Sequence, residues 1–338
     1  MSKADMIFIN NCKAIMNSNL SDEPFEEVRA KWPGGKMAYT KKILFVHNEY
    51  DLQEEFPILT IRKQAFKNAY KELLWIYQKC SNDVRDLGLK IWNDWAENNT
   101  IGKAYGYQIG KLIRHHRYEA SDDIEMENYP SMVVKDEGST GRWVWMNQID
   151  AVIWDLKHKP ASRSIIMNMY DMDDLSEMNL RPCAYNIQFL VTYENDETYL
   201  NAVLTQRSQD MFVANNWNVI QYALLVHMLA QVCGMKPGKL AHNISDCHIY
   251  IKHMDDVRRM VELYDESAEP ANVKLKDVGE VEFRRDQKKL HGDLSDVPYP
   301  APKLIVDPTI KRFSDFTEDS FSLEGYQWRF DFRPEVAV

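Results

Sequence analysis

The sequence is poor in cysteine, and the few cysteines that it has are scattered. There are five among 338 residues, with no Cys-x-x-Cys motif: Cys12, Cys80, Cys183, Cys233 and Cys247. An odd, widely spaced set argues against a disulfide framework and against a structural zinc site. We therefore expect a reducing, cytoplasmic environment and no bound metal.

Long apolar runs and a surplus of positive charge are also lacking. No run approaches the length of a membrane span, and residues 1–16 carry charge where a signal peptide needs apolar residues. A net charge of -10 disfavours DNA binding, which needs a basic face that neutralises phosphates. These features predict neither a membrane nor a DNA partner, although a few converging arginines can still bind a small anion.

What the sequence does contain is a mixture of helical and strand-like segments. Residues 57–78 have apolar side chains at helical spacing, and residues 217–232 are apolar nearly all round, as in a central helix that stops at Gly234. A hairpin turn is expected at 194–198. Segments rich in β-branched and aromatic residues are 164–170, 185–193, 199–206 and 247–253. The pattern predicts an α+β fold with a mixed β-sheet packed against several long helices.

Two polar segments interrupt this pattern. Residues 117–141 are acidic and polar, and residues 265–303 are rich in charge and end in a proline-containing stretch. We expect both to be surface insertions in one domain that spans residues 1–338.

A few residues stand out on chemical grounds alone. Cys183 follows a proline and opens a predicted strand; it is either a small buried hydrophobe or, beside an arginine, a nucleophile. Arg207 and Ser208 together suit a phosphate oxyanion, and Arg29 and Arg163 also flank structured segments. A surface ion pair is the usual alternative for any one arginine. Spacing alone leaves these readings open.

The ordered motifs, taken together, resemble the thymidylate synthase family. The resemblance extends from about residue 20 to the C-terminus and is to the branch typified by Bacillus and phage enzymes. The motifs are KELLWIYQ (71–78), IWNDWAE (91–97), AYGYQIGK (104–111), PASRSII (160–166), RPC (181–183), LTQRSQD (204–210), NVIQYALLVHMLAQ (218–231), SDCHIYIKH (245–253), EDSFSLEGY (318–326) and PEVAV (334–338). One such motif would carry little weight, but ten in order are a strong signal.

This resemblance implies a one-carbon methyltransferase, which converts dUMP to dTMP with 5,10-methylenetetrahydrofolate as co-substrate. Cys183 would add to C6 of the base, so that C5 becomes a carbanion able to attack the methylene group. Arg207 is the expected positive neighbour of the thiolate. Tyr105 would assist removal of the C5 proton, and Glu72 would relay protons near the base. Without the family, Glu72 would be read as a solvated helix position paired with a neighbouring cation.

The resemblance also implies how a pyrimidine nucleotide monophosphate is held. Arg29, Arg163, Arg207 and Ser208 would bind the 5′-phosphate. Arg163 would come from the second subunit of a homodimer that forms through the sheet face. His248 and Tyr250 would lie on the same side of a strand and hold the 3′-hydroxyl. A metal site of His242, His248 and His253 is the alternative, but its spacing fits no usual zinc pattern.

Asn218 is the residue expected to read the base. Its carbonyl can accept from uracil N3–H while its NH₂ donates to O4, and cytosine offers the opposite pattern. Asn218 therefore favours dUMP. Its other possible role is that of helix N-cap, since it precedes the apolar helix.

Folate would be bound by aromatic faces and by the C-terminal tail. Aromatic rings suit a flat pterin, and Asp210 is expected to contact both the nucleotide and the pterin, the latter through water. The tail would close over the folate and exclude water. The expected set is Arg62, Trp92, Trp95, Asp210, Trp217 and Val338.

Three departures from the family pattern bear on the product. Ala184 replaces a histidine found in most members, Ser164 replaces one arginine of a usual pair, and residues 213–217 lack the family's Gly and Pro. If water replaced hydride at the methylene intermediate, the enzyme would be a pyrimidine nucleotide 5-hydroxymethylase acting on dUMP, dCMP or CMP. The third possibility is a catalytically inactive relative that acts only as a binding protein, although retention of Cys183 argues against it.

Overall fold

The computed structural model describes residues 2–119, 128–262, 299–329, 331 and 334–338. Its helices are α1 (Lys3–Asn17), α2 (Phe66–Leu73), α3 (Val84–Leu87), α4 (Gly106–Gly110), α5 (Gln148–His158), α6 (Asn215–Val232) and α7 (Met254–Glu262). Its strands are β1 (Leu20–Ser21), β2 (Thr40–Asp51), β3 (Ile113–Arg117), β4 (Val133–Asp136), β5 (Arg142–Met146), β6 (Ile165–Asn168), β7 (Ala184–Glu194), β8 (Glu197–Asp210), β9 (Lys236–Tyr250), β10 (Lys303–Val306) and β11 (Phe321–Glu324).

A mixed sheet forms the centre of the fold. Within the described residues its strand order is β1-β2-β9-β8-β7-β6, and β8 and β9 are parallel whereas the other neighbours are antiparallel. The parallel pairing places Asp210 beside His248 and Ser208 beside Asp246 at the ends of the two strands. The predicted α+β fold with a mixed sheet is confirmed.

The turn between β7 and β8 is a tight hairpin. Glu194 pairs with Glu197, and the two residues between them, Asn195 and Asp196, both have positive φ (50° and 61°). Asn and Asp tolerate this left-handed conformation, which matches the twist of the flanking strands. The predicted hairpin is confirmed.

Helix α6 packs its whole circumference in the core. Nearly all of its residues are buried, in keeping with its apolar sequence. It ends as predicted at Gly234, which has φ +69°; the Met235 N–H then bonds to the Ala230 carbonyl. None of the described helices is both long enough and apolar enough to cross a bilayer.

The helix predicted for residues 57–78 begins later than expected. Residues 57–65 are not helical, and α2 starts at Phe66 and continues into a π-helical turn, Leu74–Gln78. The Thr60 N–H and hydroxyl donate to the carboxylate of Asp5 (2.9 and 2.6 Å), so a distant side chain occupies these groups. The prediction was therefore wrong for the first nine residues.

The last predicted strand, residues 247–253, matches the structure only in part. Strand β9 begins at Lys236, well before residue 247, and ends at Tyr250; Ile251–His253 form a 3₁₀ turn. The Ile251 N–H donates to the carbonyl of Tyr39 (2.9 Å), which takes the chain out of the sheet ladder.

The two predicted insertions are only partly described. Residues 120–127 and 263–298 lie outside the described residues. The described part of the first insertion contains β4, which joins β3 and β5 in an antiparallel sheet of order β3-β5-β4, and it buries Tyr129 and Met132. Among the described residues of the second, only Lys303 lies in a strand: it is the first residue of β10, which pairs with β11. A single domain over residues 1–338 remains our proposal.

Candidate active site

Cys183 lies immediately before β7, with its thiol half-buried beside a guanidinium. Arg207 Nη2 is 3.7 Å from Cys183 Sγ. The same guanidinium donates to the carbonyls of Pro182 (3.0 Å) and Arg181 (2.6 Å), so the main chain around the cysteine holds the arginine in place. The structure thus brings the predicted nucleophile and its positive neighbour together.

Opposing effects act on the Cys183 thiol. Burial raises its pKa, and the positive charges of Arg207 and Arg29 lower it, burial being the larger effect. A purely apolar neighbourhood would only raise the pKa, whereas two arginines stabilise the thiolate when it forms. This electrostatic setting favours the nucleophile over an inert buried hydrophobe.

Tyr105 places its phenol oxygen against the nucleophile. The N–H of Cys183 donates to the Tyr105 hydroxyl (3.2 Å), and burial raises the pKa of this phenol well above its usual value. Tyr105 has φ +47°, a strained conformation for a residue with a side chain. At the next residue, Gly106, a Cβ would lie 2.0 Å from the carbonyl oxygen of Ser81, so only glycine fits.

Glu72 is buried and surrounded by hydrogen-bond donors. Its Oε1 accepts from the indole of Trp92, and its Oε2 accepts from the indole of Trp217 and from Gln221 Nε2 (2.7 Å). Burial raises its pKa, while these donors lower it. The solvated alternative is wrong, because only 6% of the residue is exposed.

Asn218 lies in the first turns of α6 with its amide bonded at both ends. Its Oδ1 accepts from Gln206 Nε2 (3.2 Å), and its Nδ2 donates to Gln221 Oε1 (3.4 Å). The N-cap alternative is wrong: the cap is Ala214, and the helix begins at Asn215.

Sequence reasoning missed Gln206 and Gln221 in this network, and it considered His242, which contacts Gln206, only as a metal ligand. Gln221 is three residues after Asn218, hence on the same helix face, and Gln206 immediately precedes Arg207. His242 is opposite Leu204 in the parallel pairing of β8 and β9, a register that the sequence does not reveal. The helix spacing of Gln221 was a usable signal.

His248 and Tyr250 both lie at the end of β9, as the strand prediction requires. Their rings are 5.4 Å apart, and His248 Nδ1 is 2.7 Å from Asp246 Oδ1. His242 is buried against Gln206, and the described residues contain no group of three His, Cys, Asp or Glu placed to hold a metal ion. This placement favours the sugar-binding reading of His248 and Tyr250.

Arg163 and Arg29 are exposed, and they differ in their distance from the thiol. Arg29 is close enough to act on the pKa of Cys183. Arg163 is two residues before Ile165, the first residue of β6, and Ile165 is opposite Phe189 on β7. Phe189 is six residues beyond Cys183, or roughly 20 Å along a strand. The structure does not bring Arg163 to the site of its own chain.

The predicted folate residues divide into a tryptophan cluster, two residues that bond to the turn after β8, and one residue of the C-terminal tail. Trp92 and Trp217 share Glu72, and the ring of Trp95 is 5.7 Å from that of Trp92. Asp210 Oδ1 accepts from the N–H groups of Phe212 and Val213 (2.9 and 3.0 Å), which closes the turn after β8.

The side chain of Arg62 is buried and hydrogen-bonded to the main chain. Its guanidinium donates to the carbonyls of Phe212 and Val213 and lies 4.9 Å from the centre of the Phe212 ring. Burial lowers its pKa to about 10, so it remains charged at neutral pH. The structure gives Arg62 a role in holding this turn, and its contact with a folate tail remains a prediction.

The C-terminal tail is docked beside the site. Val338 exchanges main-chain hydrogen bonds with Lys31 (2.7 and 2.9 Å), and Ala337 packs in a small cluster with Tyr250 and Ala38. Glu335 forms an ion pair with Lys252. The tail therefore lies against the segment that contains Arg29.

Two departures from the family pattern have structural explanations. Ala184 is buried next to an irregularity in the pairing of β7 and β8. The segment 213–217 enters α6 at Asn215, and the buried Asn216 bonds to the main chain of Pro57 and Leu59 (both 2.9 Å). Side-chain hydrogen bonds thus hold a turn that lacks glycine and proline.

Comparison with known proteins agrees with this arrangement. A family model described as thymidylate synthase matches residues 7–338. The chain belongs to the thymidylate synthase family. It is 36% identical to the thymidylate synthase of Bacillus licheniformis and 34% identical to thymidylate synthase 1 of Bacillus subtilis, in both cases over all of both chains.

A solved thymidylate synthase has the same fold. The thermostable thymidylate synthase A from Bacillus subtilis superposes with a TM-score of 0.75 at 32% identity, with full coverage of both chains. The predicted family, its Bacillus-like branch and the class of one-carbon methyltransferase are confirmed.

Proposed function

We propose that this chain makes dTMP from dUMP and 5,10-methylenetetrahydrofolate, through a covalent bond between Cys183 Sγ and C6 of the base. The observation that carries the proposal is the contact of Cys183 Sγ with Arg207 (3.7 Å). The family relationship and the adjacent network around Asn218 and Glu72 support it.

The chemistry follows from the groups around the base. The Cys183 thiolate adds to C6, and the C5 carbanion attacks the methylene carbon of the folate. Loss of the C5 proton, with Tyr105 beside the nucleophile, lets the folate nitrogen leave and forms an exocyclic methylene. Hydride from tetrahydrofolate then converts this group to methyl, giving dihydrofolate, and Cys183 is expelled. Glu72, with its raised pKa, is suited to hold and return protons near O4.

The nucleotide is proposed to bind with its phosphate among arginines. Arg207, Ser208 and Arg29 would bind it from the same chain, and His248 with Tyr250 would hold the sugar. Because Arg163 lies far along the sheet from its own Cys183, its expected phosphate contact requires a second subunit.

The open face of the central sheet supports a homodimer. Strand β6 buries Ile165 and Met167 and leaves Ile166 46% exposed, and Phe45 on β2 is 84% exposed. Exposed apolar side chains on one sheet face mark an interaction surface. We propose that two copies pack through this face, which would bring Arg163 to the neighbouring site.

Folate is proposed to stack on the tryptophan cluster of Trp92, Trp95 and Trp217, with Asp210 and Val338 as further contacts. Burial of Trp92 and docking of the tail would keep water from the methylene intermediate. Exclusion of water favours hydride transfer over the hydroxymethylase reaction. The free thiol suits the reducing cytoplasm, where we expect the enzyme to act.

Product analysis tests the proposal directly. The protein is incubated with 5,10-methylenetetrahydrofolate and either dUMP, dCMP or CMP, and the product is identified by mass while dihydrofolate absorbance is followed. We expect dTMP and dihydrofolate from dUMP, and neither from Cys183→Ser. A hydroxymethyl nucleotide without dihydrofolate would indicate the hydroxymethylase, and the absence of any product would contradict both activities.

A further inference from the structure

An ion pair between β2 and β9 lies directly beside His248. Lys42 on β2 is opposite His248, and Lys42 Nζ is 2.8 Å from Asp246 Oδ2. The other carboxylate oxygen of Asp246, Oδ1, is 2.7 Å from His248 Nδ1. Residues two apart on a strand share a face, so Asp246, His248 and Tyr250 lie on the same side of β9. The two oxygens of Asp246 therefore have different partners, one on each strand.

Asp22 holds Lys42 from a second side. Its Oδ2 is 3.5 Å from Lys42 Nζ, and its carboxylate also accepts from the N–H and the hydroxyl of Thr40 (2.6 and 2.8 Å). Only 21% of the Lys42 side chain and 14% of the Asp22 side chain are exposed. An ammonium group can only donate hydrogen bonds, so Lys42 requires an oxygen from residue 246.

Asp246 determines where the ring of His248 carries its hydrogen. Burial would raise the pKa of Asp246, but the hydrogen bonds with His248 and Lys42 outweigh this effect and lower the pKa, so the group is ionised at neutral pH. A carboxylate can only accept, which places a hydrogen on His248 Nδ1. In the neutral ring, Nε2 is then an acceptor. Nε2 has no hydrogen-bond partner in the part of the chain that the structure describes, which leaves it available to a ligand.

We propose that Asp246, held by Lys42, is a positioning residue that makes the sugar subsite require a hydrogen-bond donor at the 3′ position of the nucleotide. The inference rests on the proposed function, in which His248 and Tyr250 hold the 3′-hydroxyl. That hydroxyl would donate to His248 Nε2 and accept from the Tyr250 hydroxyl. A substituent that cannot donate, such as fluorine, would instead face the lone pair of Nε2.

Asp246→Asn should reverse the ring of His248. Lys42 still requires an oxygen, so the amide would turn its NH₂ toward His248 Nδ1, which must then accept. The hydrogen of the neutral ring moves to Nε2. Nitrogen-15 NMR of histidine-labelled protein, with the signal assigned by its loss in His248→Gln, should show the hydrogen on Nδ1 in the wild type and on Nε2 in the variant. A wild type with the hydrogen on Nε2 would overturn the proposal.

Binding of two nucleotides measures the consequence for recognition. Calorimetry compares dUMP with its analogue that carries fluorine in place of the 3′-hydroxyl. The wild type should bind dUMP roughly tenfold more tightly or better, and in Asp246→Asn this ratio should fall roughly 5- to 10-fold. Damage to the structure alone would weaken both nucleotides and leave the ratio unchanged. A ratio in Asp246→Asn within about twofold of the wild type would overturn the proposal.

A double variant tests the part of Lys42. When Lys42→Met is added to Asp246→Asn, the amide is free to turn its oxygen toward His248 Nδ1. The preference for dUMP should therefore recover at least in part, whereas two structural defects would add. No recovery would show that Lys42 does not set the orientation of residue 246.

Glu49→Gln is the matched control. Glu49 accepts from Lys239 Nζ (2.7 Å), and this ion pair also joins β2 to β9. Both of its side chains are about half exposed, and neither contacts His248. The position of the histidine hydrogen and the binding ratio should remain those of the wild type.

Failure of the inference and failure of the proposed function give different results, because the NMR and binding measurements need no turnover. A folded wild type that makes no dTMP contradicts the proposed function. A wild type that makes dTMP but binds the fluorinated nucleotide as tightly as dUMP overturns the inference alone. Thermal unfolding identifies folded variants. If Asp246→Asn does not fold, Asp246→Ala, which removes the acceptor, replaces it, and its binding ratio should also fall.

Discussion

The base end and the phosphate end of the proposed nucleotide site are built in different ways. At the base end, Glu72, Gln206 and Gln221 are buried and bonded to protein partners before any ligand arrives. At the phosphate end, Arg207 is held by main-chain carbonyls, whereas Arg29 and Arg163 have exposed side chains.

This difference teaches what each end has to achieve. Discrimination between two bases of nearly equal shape depends on where donors and acceptors lie, so these must be fixed in advance. A phosphate is recognised by its charge and can also be bound by exposed arginines, one of them from a neighbouring subunit. Changes at the base end should therefore alter which nucleotide reacts and how fast, whereas changes at the phosphate end should alter how much nucleotide is needed.

Loss of the ionisable group at the base end should have the largest effect. Glu72→Gln keeps the shape of the side chain but cannot relay a proton, so we expect kcat to fall about 100- to 10,000-fold. Steady-state kinetics and dUMP binding by calorimetry measure this effect, and binding should weaken far less than kcat. A kcat within about tenfold of wild type would show that Glu72 does not relay a proton in the reaction.

A change of the base reader should switch the substrate preference. In Asn218→Asp, a protonated carboxyl can donate to N3 of cytosine and accept from its amino group. The ratio of kcat/KM for dUMP to that for dCMP should fall roughly 100-fold or more. An equal loss for both nucleotides would show that Asn218 does not read the base.

The sequence could predict the outline of the fold but not the interior of the site. Helix α6 was recognisable because it is apolar all round, and the hairpin because of its acidic turn. Glu72 lies on a lysine-rich helix, and nothing local shows that it is buried. Its partners Trp92 and Trp217 are 20 and 145 residues away along the chain, and only the tertiary fold brings them together.

The wrongly predicted starts of α2 and β9 also result from contacts between distant parts of the chain. Residues 57–65 were included in the predicted helix, but the main-chain N–H groups of Thr60 and Ile61 donate to Asp5, which comes from another part of the chain. Strand β9 was predicted too short at its start, since its first residues contain Pro237 and Gly238. Adding a Cβ at Gly238 would bring it within 2.4 Å of the Asn201 side chain, so close approach to β8 explains the glycine. Cys183 and Arg207 could be placed together only through the family resemblance.

At the phosphate end a smaller effect is expected. Arg163→Ala should raise KM for dUMP roughly tenfold and change kcat less, because one of several phosphate contacts is lost. Mixing this variant with the inactive Cys183→Ser should yield sites with the wild-type KM for dUMP, since a mixed dimer has one site with Cys183 from one subunit and Arg163 from the other. No recovery after proven subunit exchange would show that Arg163 does not act across the interface.

The smallest effect concerns stability. Burial raises the pKa of Glu72 above its ordinary value of 4.5, so the folded protein holds this proton more tightly than the unfolded chain. This contribution to stability is complete below that value and is lost as the pH rises through the folded pKa. The free energy of unfolding of Glu72→Gln, relative to wild type, should therefore rise with pH across this window. Urea titrations at several pH values measure it, and a difference independent of pH would contradict the raised pKa.

The covalent role of Cys183 is tested most directly by trapping the adduct. With 5-fluoro-dUMP, C5 carries fluorine in place of the proton that must leave, so the reaction should stop at the ternary adduct. Intact-protein mass spectrometry in the presence of 5,10-methylenetetrahydrofolate should show a gain equal to nucleotide plus folate, and peptide mapping should place it on Cys183. No mass gain, or a gain on any of the other four cysteines, would contradict the account.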